Sequence, residues 1–133
     1  MYEVTVYKVV KEPLTSRYIM MLDPVDKAES SVLIPIGKKE AENIHSRKCE
    51  AGKCTSSAYD ILTPIMNSLK SVTFDKLLIE DCECGRFTAG LYMTVSGSEK
   101  VLDCRPSDGV VLALDRNIPI YIKRVTTCCT DDE

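Results

Sequence analysis

No run of apolar residues in this 133-residue chain approaches the roughly 18 that a membrane-crossing helix requires, so no spanning segment is expected. The chain opens Met-Tyr-Glu-Val-Thr-Val, without the basic and then apolar stretch of a secretory signal, which makes the cytoplasm the expected location. A basic excess is missing too. There are 17 Lys and Arg against 20 Asp and Glu, and three of the acids are Asp131, Asp132 and Glu133, so the body is neutral. A protein that grips a phosphate backbone tightly shows a basic excess or stripe, so the charge balance argues against avid nucleic-acid binding. The one local cluster, Lys38, Lys39, Arg47, Lys48 and Lys53, reads first as a solvated helix face. Histidine is down to His45 alone, more often a surface residue than a base. No Ser-His-Asp order, phosphate-cradling glycine loop or dinucleotide fingerprint is present, and repeats and low-complexity segments are absent.

Cysteine is the exception to this scarcity, with seven. An odd number without an export signal argues against a disulfide framework. Cys-x-x-Cys is lacking, and Cys82-x-Cys84 is too tight for a zinc knuckle. Cys49, Cys54, Cys82, Cys84 and His45 are a set that could in principle meet around a metal. The expectation is reduced thiols acting as small apolar residues, with no structural zinc. Cys128-Cys129, beside the acidic end, reads as exposed and open to oxidation, which keeps a thiol-based sensor as a third functional class.

The length suits one domain, read as residues 1–124 with an acidic tail at 125–133. Strands are expected at Tyr2–Val10, Arg17–Leu22, Val32–Ile36, Val72–Asp81, Arg86–Ser96, Lys100–Asp103 and Ile118–Val125. Arg17–Leu22, apolar on both faces, reads as central. Phe87, Ala89, Leu91, Met93 and Val95 alternate toward a core. Helices are expected from Lys38 to about Cys49, as one distorted helix with its stripe at Ile61, Leu62, Ile65, Met66 and Leu69 running across Pro64, and after Arg105. This order is α+β: a twisted mixed sheet of about seven strands, with about three helices on one side.

The richest stretch runs from Cys104 to Tyr121. Pro106 has the φ of a first helical residue and lacks only an N–H that the first turn leaves unpaired. Val110, Val111 and Leu114 make one stripe; Asn117 can take the left-handed conformation that ends a helix, and Pro119 cannot continue one. Arg105, Ser107 and Asp108 therefore gather at a helix N-terminus, where anions are favoured.

This run, Arg105-Pro106-Ser107-Asp108 with Pro119-Ile120-Tyr121 beyond the helix, resembles the bifunctional nuclease family, with Gly109 where the family pattern has Ala. Ile36-Gly37, two further residues and Glu40-Ala41 resemble its upstream motif. A helix start Thr-His-Asp-Leu aligns with Ala58, Tyr59, Asp60 and Ile61, of which only the Asp agrees, so Tyr59 stands in the histidine position. The resemblance spans nearly the whole chain. It implies a metal-assisted nuclease acting on RNA and DNA with Mg2+ or Mn2+, with Glu40, Asp60, Arg105 and Asp108 as the catalytic set. It also implies that no histidine base is available at position 59. The alternative is a non-catalytic homodimeric interaction or regulatory module. In it Arg105 and Asp108 lock the corner by pairing with one another, Asp60 caps its helix and Glu40 stabilises a first helical turn.

Overall fold

Apolar residues at every second position build the strands in this chain, and the helices then cover one face of them. The computed structural model describes residues 1–49, 58–82 and 86–125. In chain order the elements are β1 (Tyr2–Lys11), β2 (Tyr18–Pro24), β3 (Val32–Ile36), α1 (Lys38–Cys49), α2 (Ala58–Asn67), β4 (Val72–Cys82), β5 (Arg86–Val95), β6 (Ser98–Cys104), α3 (Pro106–Arg116) and β7 (Ile120–Val125). The strands form one sheet in the order β3-β2-β1-β7-β4-β5-β6. Neighbours are antiparallel except β4 and β7, which run parallel, so the sheet is mixed and the fold α+β as expected. The parallel pair follows from α3, which carries the chain from the edge strand β6 back over β5 and β4 to β7.

The core lies between α1, α3 and one face of the sheet. Val4 and Val6, Met20 and Leu22, Leu77 and Ile79, and Ile120 and Ile122 alternate into it and meet Ile44, Val110 and Val111. Each such side chain contributes about 1.5–3 kcal/mol by leaving water. Phe87 and Leu114 pack against this cluster half-buried, and Leu91 is buried, but Met93 and Val95 are only half-buried. β2 is interior but not central, the middle of the sheet being β7, and only its Met20, Leu22 and Pro24 face is fully buried.

The start and end of α3 follow the local sequence rules. Pro106 opens it, and Asn117, at φ 58°, closes it in the left-handed conformation with its N–H donating to the Ala113 carbonyl. Gly109 is set by packing. A Cβ there would lie 2.5 Å from Leu77 Cδ1 and 3.1 Å from Cys104 Sγ. Gly109→Ala gains about 1 kcal/mol of helix propensity but costs about 1–3 kcal/mol in overpacking, so a net loss near 1 kcal/mol is expected in urea unfolding. Leu77→Val should cost less in the Gly109→Ala background than in the wild type.

Other expectations need correction. The apolar stripe of α2 faces outward, with Ile61 67% and Ile65 53% exposed and no residue of the helix buried. Its inward face is polar instead: Tyr59, Thr63 and Asn67, spaced by four, reach Asp108, Asp115 and Arg116 of α3. Pro64 lies inside this single helix, as expected. Arg47, read as part of a solvated basic face, is 11% exposed. Cys82, buried where β4 ends, is disulfide-bonded, against the expectation of reduced thiols throughout. Cys104 is free and half-buried. Cys54, Lys53, Cys84, Cys128, Cys129 and the tail beyond Val125, with the side chain of Cys49, lie outside the described residues, and Val125 itself belongs to β7.

Candidate functional site

β3 and β6 occupy opposite edges of the sheet, yet Ile34, Pro35 and Gly37 share one groove with Phe87, Arg105 and Ser107. The sheet curls far enough to bring its two ends together. Each end turns into a helix there, β3 into α1 and β6 into α3, so two helix N-termini meet at one corner. Gly37 precedes α1, and the carboxylate of Glu40 folds back into the space that a Cβ on residue 37 would fill. A side chain at position 37 would push the Glu40 carboxylate aside, and it is Arg105 that holds Glu40 at the corner. Arg105, extended at φ −76° and ψ 149°, is the residue before α3.

The corner is a hydrogen-bonded cluster. Arg105 Nε donates to Asp108 Oδ2 (2.9 Å), and Nη2 donates to Asp108 Oδ1 (3.2 Å) and Glu40 Oε2 (3.0 Å). One guanidinium thus holds carboxylates from two helices, in the two-pronged geometry that makes Arg–carboxylate pairs strong. Arg105 is nevertheless 65% exposed, while Glu40 and Asp108 are 20% and 26% exposed. Tyr59 adds the fourth member, its hydroxyl donating to Asp108 Oδ1.

Electrostatics follow from these bonds. Burial pushes the Asp108 carboxyl up, but the hydrogen bonds from Arg105 and Tyr59 and the charge of Arg105 outweigh it and hold it below its ordinary value. Arg105 is raised by its hydrogen bonds to Asp108 first, then by the charge of Asp108 and the bond to Glu40. Burial, and then the bond to Asp108, raise the Tyr59 phenol, so it remains a protonated donor. Desolvation likewise raises the Cys104 thiol, followed by the charges of Asp108 and Asp103. Asp108 therefore adds stability that is present above its unfolded value, roughly 3.9, and is lost as pH falls through its lower folded value. In urea unfolding the stability gap between wild type and Asp108→Asn should narrow as the pH drops below about 5 and close once Asp108 is protonated.

Three of the four expected residues, Glu40, Arg105 and Asp108, come together. Asp60 does not: it lies 3.6 Å from Arg47 Nη2. Arg47 also donates from Nε and Nη2 to Asp115 (2.9 and 3.2 Å) and from Nη1 to the Asn43 carbonyl (3.2 Å), while Thr63 donates to Asp115. This second cluster ties α1, α2 and α3 beneath the corner. Asp60 belongs there because, one residue after Tyr59, it projects about 100° around the helix from it. His45 is exposed in a separate depression with Val9, Lys11 and Tyr18. The residues sequence reasoning missed are Tyr59, set aside as a lost histidine although its aligned position pointed to the site, and Arg47 with Asp115, which no local pattern marks. Among the described residues no three His, Cys, Asp or Glu side chains gather as a metal set, and no helix is long and apolar enough to cross a membrane.

Comparison with known families bears on this corner. The family model of the bifunctional nuclease domain matches residues 20–127, most of the chain and every residue of both clusters. No curated protein matches the chain.

Proposed function

The chain belongs to the bifunctional nuclease domain family, and from that premise we propose that the Glu40–Arg105–Asp108 corner cleaves phosphodiester bonds of RNA and DNA. The observation that carries this reading is a largely exposed guanidinium held by carboxylates from two helices at the mouth of a groove. A planar guanidinium fork suits a phosphate better than a lysine's point charge does. Arg105 would bind the phosphate and take up the negative charge that develops in attack. Asp108, ionised at neutral pH, would accept a hydrogen bond from the attacking water and orient it; its low pKa makes it a positioning group rather than a strong base. Tyr59, a phenol that keeps its proton, would hold Asp108 in place and could not serve as the general base that a histidine there would provide.

Glu40 and Asp108 are the pair that would hold Mg2+ or Mn2+. They fit such an ion, which takes one or two carboxylates with water and phosphate oxygens, because a single Arg105 nitrogen already lies 3.0 and 3.2 Å from an oxygen of each. Exposure of Arg105 leaves it room to swing aside. When bound, the ion would offset charge on the phosphate oxygens. The test is degradation of single-stranded RNA and DNA by purified protein with Mg2+ or Mn2+, and its arrest by a chelator. No cleavage above a contaminant control with either ion would remove the reading in favour of a non-catalytic, homodimeric interaction module.

A further inference from the structure

A groove of about 760 Å³ runs over β4, β5 and β6 and ends at Arg105 and Pro106. Its middle is built around Gly90, in the interior of β5, with Leu78 and Asp103 as register partners on either side. A Cβ on Gly90 would lie 2.8 Å from Val101 Cγ1 and 3.7 Å from Tyr92 Cε1. The aromatic ring and the valine thus close in over a bare backbone, and a glycine within a strand commonly marks a place of close approach. Tyr92 is anchored from its neighbour strand by Lys76, whose ammonium is 4.9 Å from the ring centroid. Glu80 and Asp103 add carboxylates to the lining, Glu80 accepting from the Thr88 hydroxyl at 3.4 Å.

The groove therefore combines an apolar floor and aromatic wall with two carboxylates; among the described lining residues Arg105 is the cation, at one end, while Lys76 lies against the Tyr92 ring at the other. Ionised carboxylates accept hydrogen bonds and donate none. They repel a phosphate backbone and attract a flat group with N–H donors on its edge. Among the described lining residues Arg105 is the one that suits an anion. Tyr92 lies two residues beyond Gly90, and Arg105 lies two residues beyond Asp103, the register partner of Gly90, on the opposite side. A base over Gly90 would thus have the aromatic ring and the guanidinium each about 7 Å away along the strands, the scale of a base and its own phosphate. We propose that this groove seats a single nucleobase carrying an exocyclic amine, adenine, guanine or cytosine in preference to uracil or thymine, beside the phosphate held at Arg105. Carboxylates recognise the cytosine amine in the same way elsewhere, and every base can lie against an aromatic ring. The proposal rests on the nuclease reading of the adjoining corner and adds the substrate's base preference to it.

The experiment is an NMR titration of 15N-labelled protein with cytidine 5′-monophosphate, uridine 5′-monophosphate and inorganic phosphate. These share the anion and differ in what can enter the groove. Cytidine monophosphate should shift the amides of Thr88, Gly90 and Tyr92 and bind at least about fivefold more tightly than the uridine compound, about 1 kcal/mol. Glu80→Gln, whose amide both donates and accepts, should erase most of that difference. Equal binding of the two nucleotides by the wild-type protein overturns the proposal, as does a response confined to residues around Arg105 and matched by phosphate alone. Neither result touches the nuclease reading, which the cleavage assay decides separately. Conversely, the expected titration in a protein that cleaves nothing overturns the nuclease reading and leaves the groove as a nucleotide site.

Discussion

Asp108→Asn should abolish cleavage, lowering the rate by on the order of 10²-fold or more, while the protein stays folded. The two halves of this expectation come from different features of the same residue. An amide cannot hold a cation or orient a water as an ionised carboxylate does. Folding should survive because the partner left behind, Arg105, is 65% exposed and remains hydrated without its carboxylate, and exposed pairs contribute only about 0–1 kcal/mol. The hydroxyl of Tyr59 can still donate to the amide oxygen at position 108. Arg105→Lys should weaken cleavage on the order of tenfold, about 1.4 kcal/mol, since a point charge does not reproduce the fork. Rates and urea midpoints measured on the same preparations decide the matter. If both variants lose activity only in proportion to lost fold, the corner is a structural lock, and its carboxylates serve the strand-to-helix turn.

The largest loss of stability is expected one layer deeper. Arg47→Met should destabilise the protein by about 3–5 kcal/mol, the cost of removing one partner from a buried ion pair. Arg47 is 11% exposed and Asp115 16%, and the guanidinium spans both oxygens of Asp115 while lying near Asp60. It also sits over the Tyr59 ring, 5.7 Å from the centroid. Removing it takes a counter-charge from Asp115 and Asp60 and loosens the residue that holds Asp108. Urea unfolding of Arg47→Met, Asp115→Asn and the double variant should show a double change well short of the sum of the singles, because each single already breaks the Arg47–Asp115 pair. Additive losses would mean that the two residues act independently. Arg47→Lys should recover only part of the stability.

Strand and helix order, with the α+β class, were readable in the sequence because they depend on short-range periodicity. Phe87 through Leu91 alternate, Val110 and Val111 share a stripe with Leu114, and Pro106 and Asn117 mark the ends of α3 by their own backbone preferences. The Arg105–Asp108 corner was readable for the same reason, both residues lying within one turn of a proline-opened helix.

What the sequence misjudged were matters of which face turns inward. The stripe of Ile61, Leu62 and Ile65 suggested burial, yet α2 docks through Tyr59, Thr63 and Asn67. A hydrophobic pattern reports what a helix could bury, not which neighbour reaches it first. Arg47 has the appearance of a surface cation until Asp115, 68 residues away, is folded against it. The convergence of Glu40 with Arg105, 65 residues apart, likewise depends on a sheet curled so that its first and last edges meet.

Periodicity and backbone preference, acting over a few residues, thus determined the elements and their ends from the sequence alone. The curl of the sheet arises from long-range packing among its strands and the polar docking of α2 from its contact with α3, and only that tertiary arrangement decided which charges became neighbours.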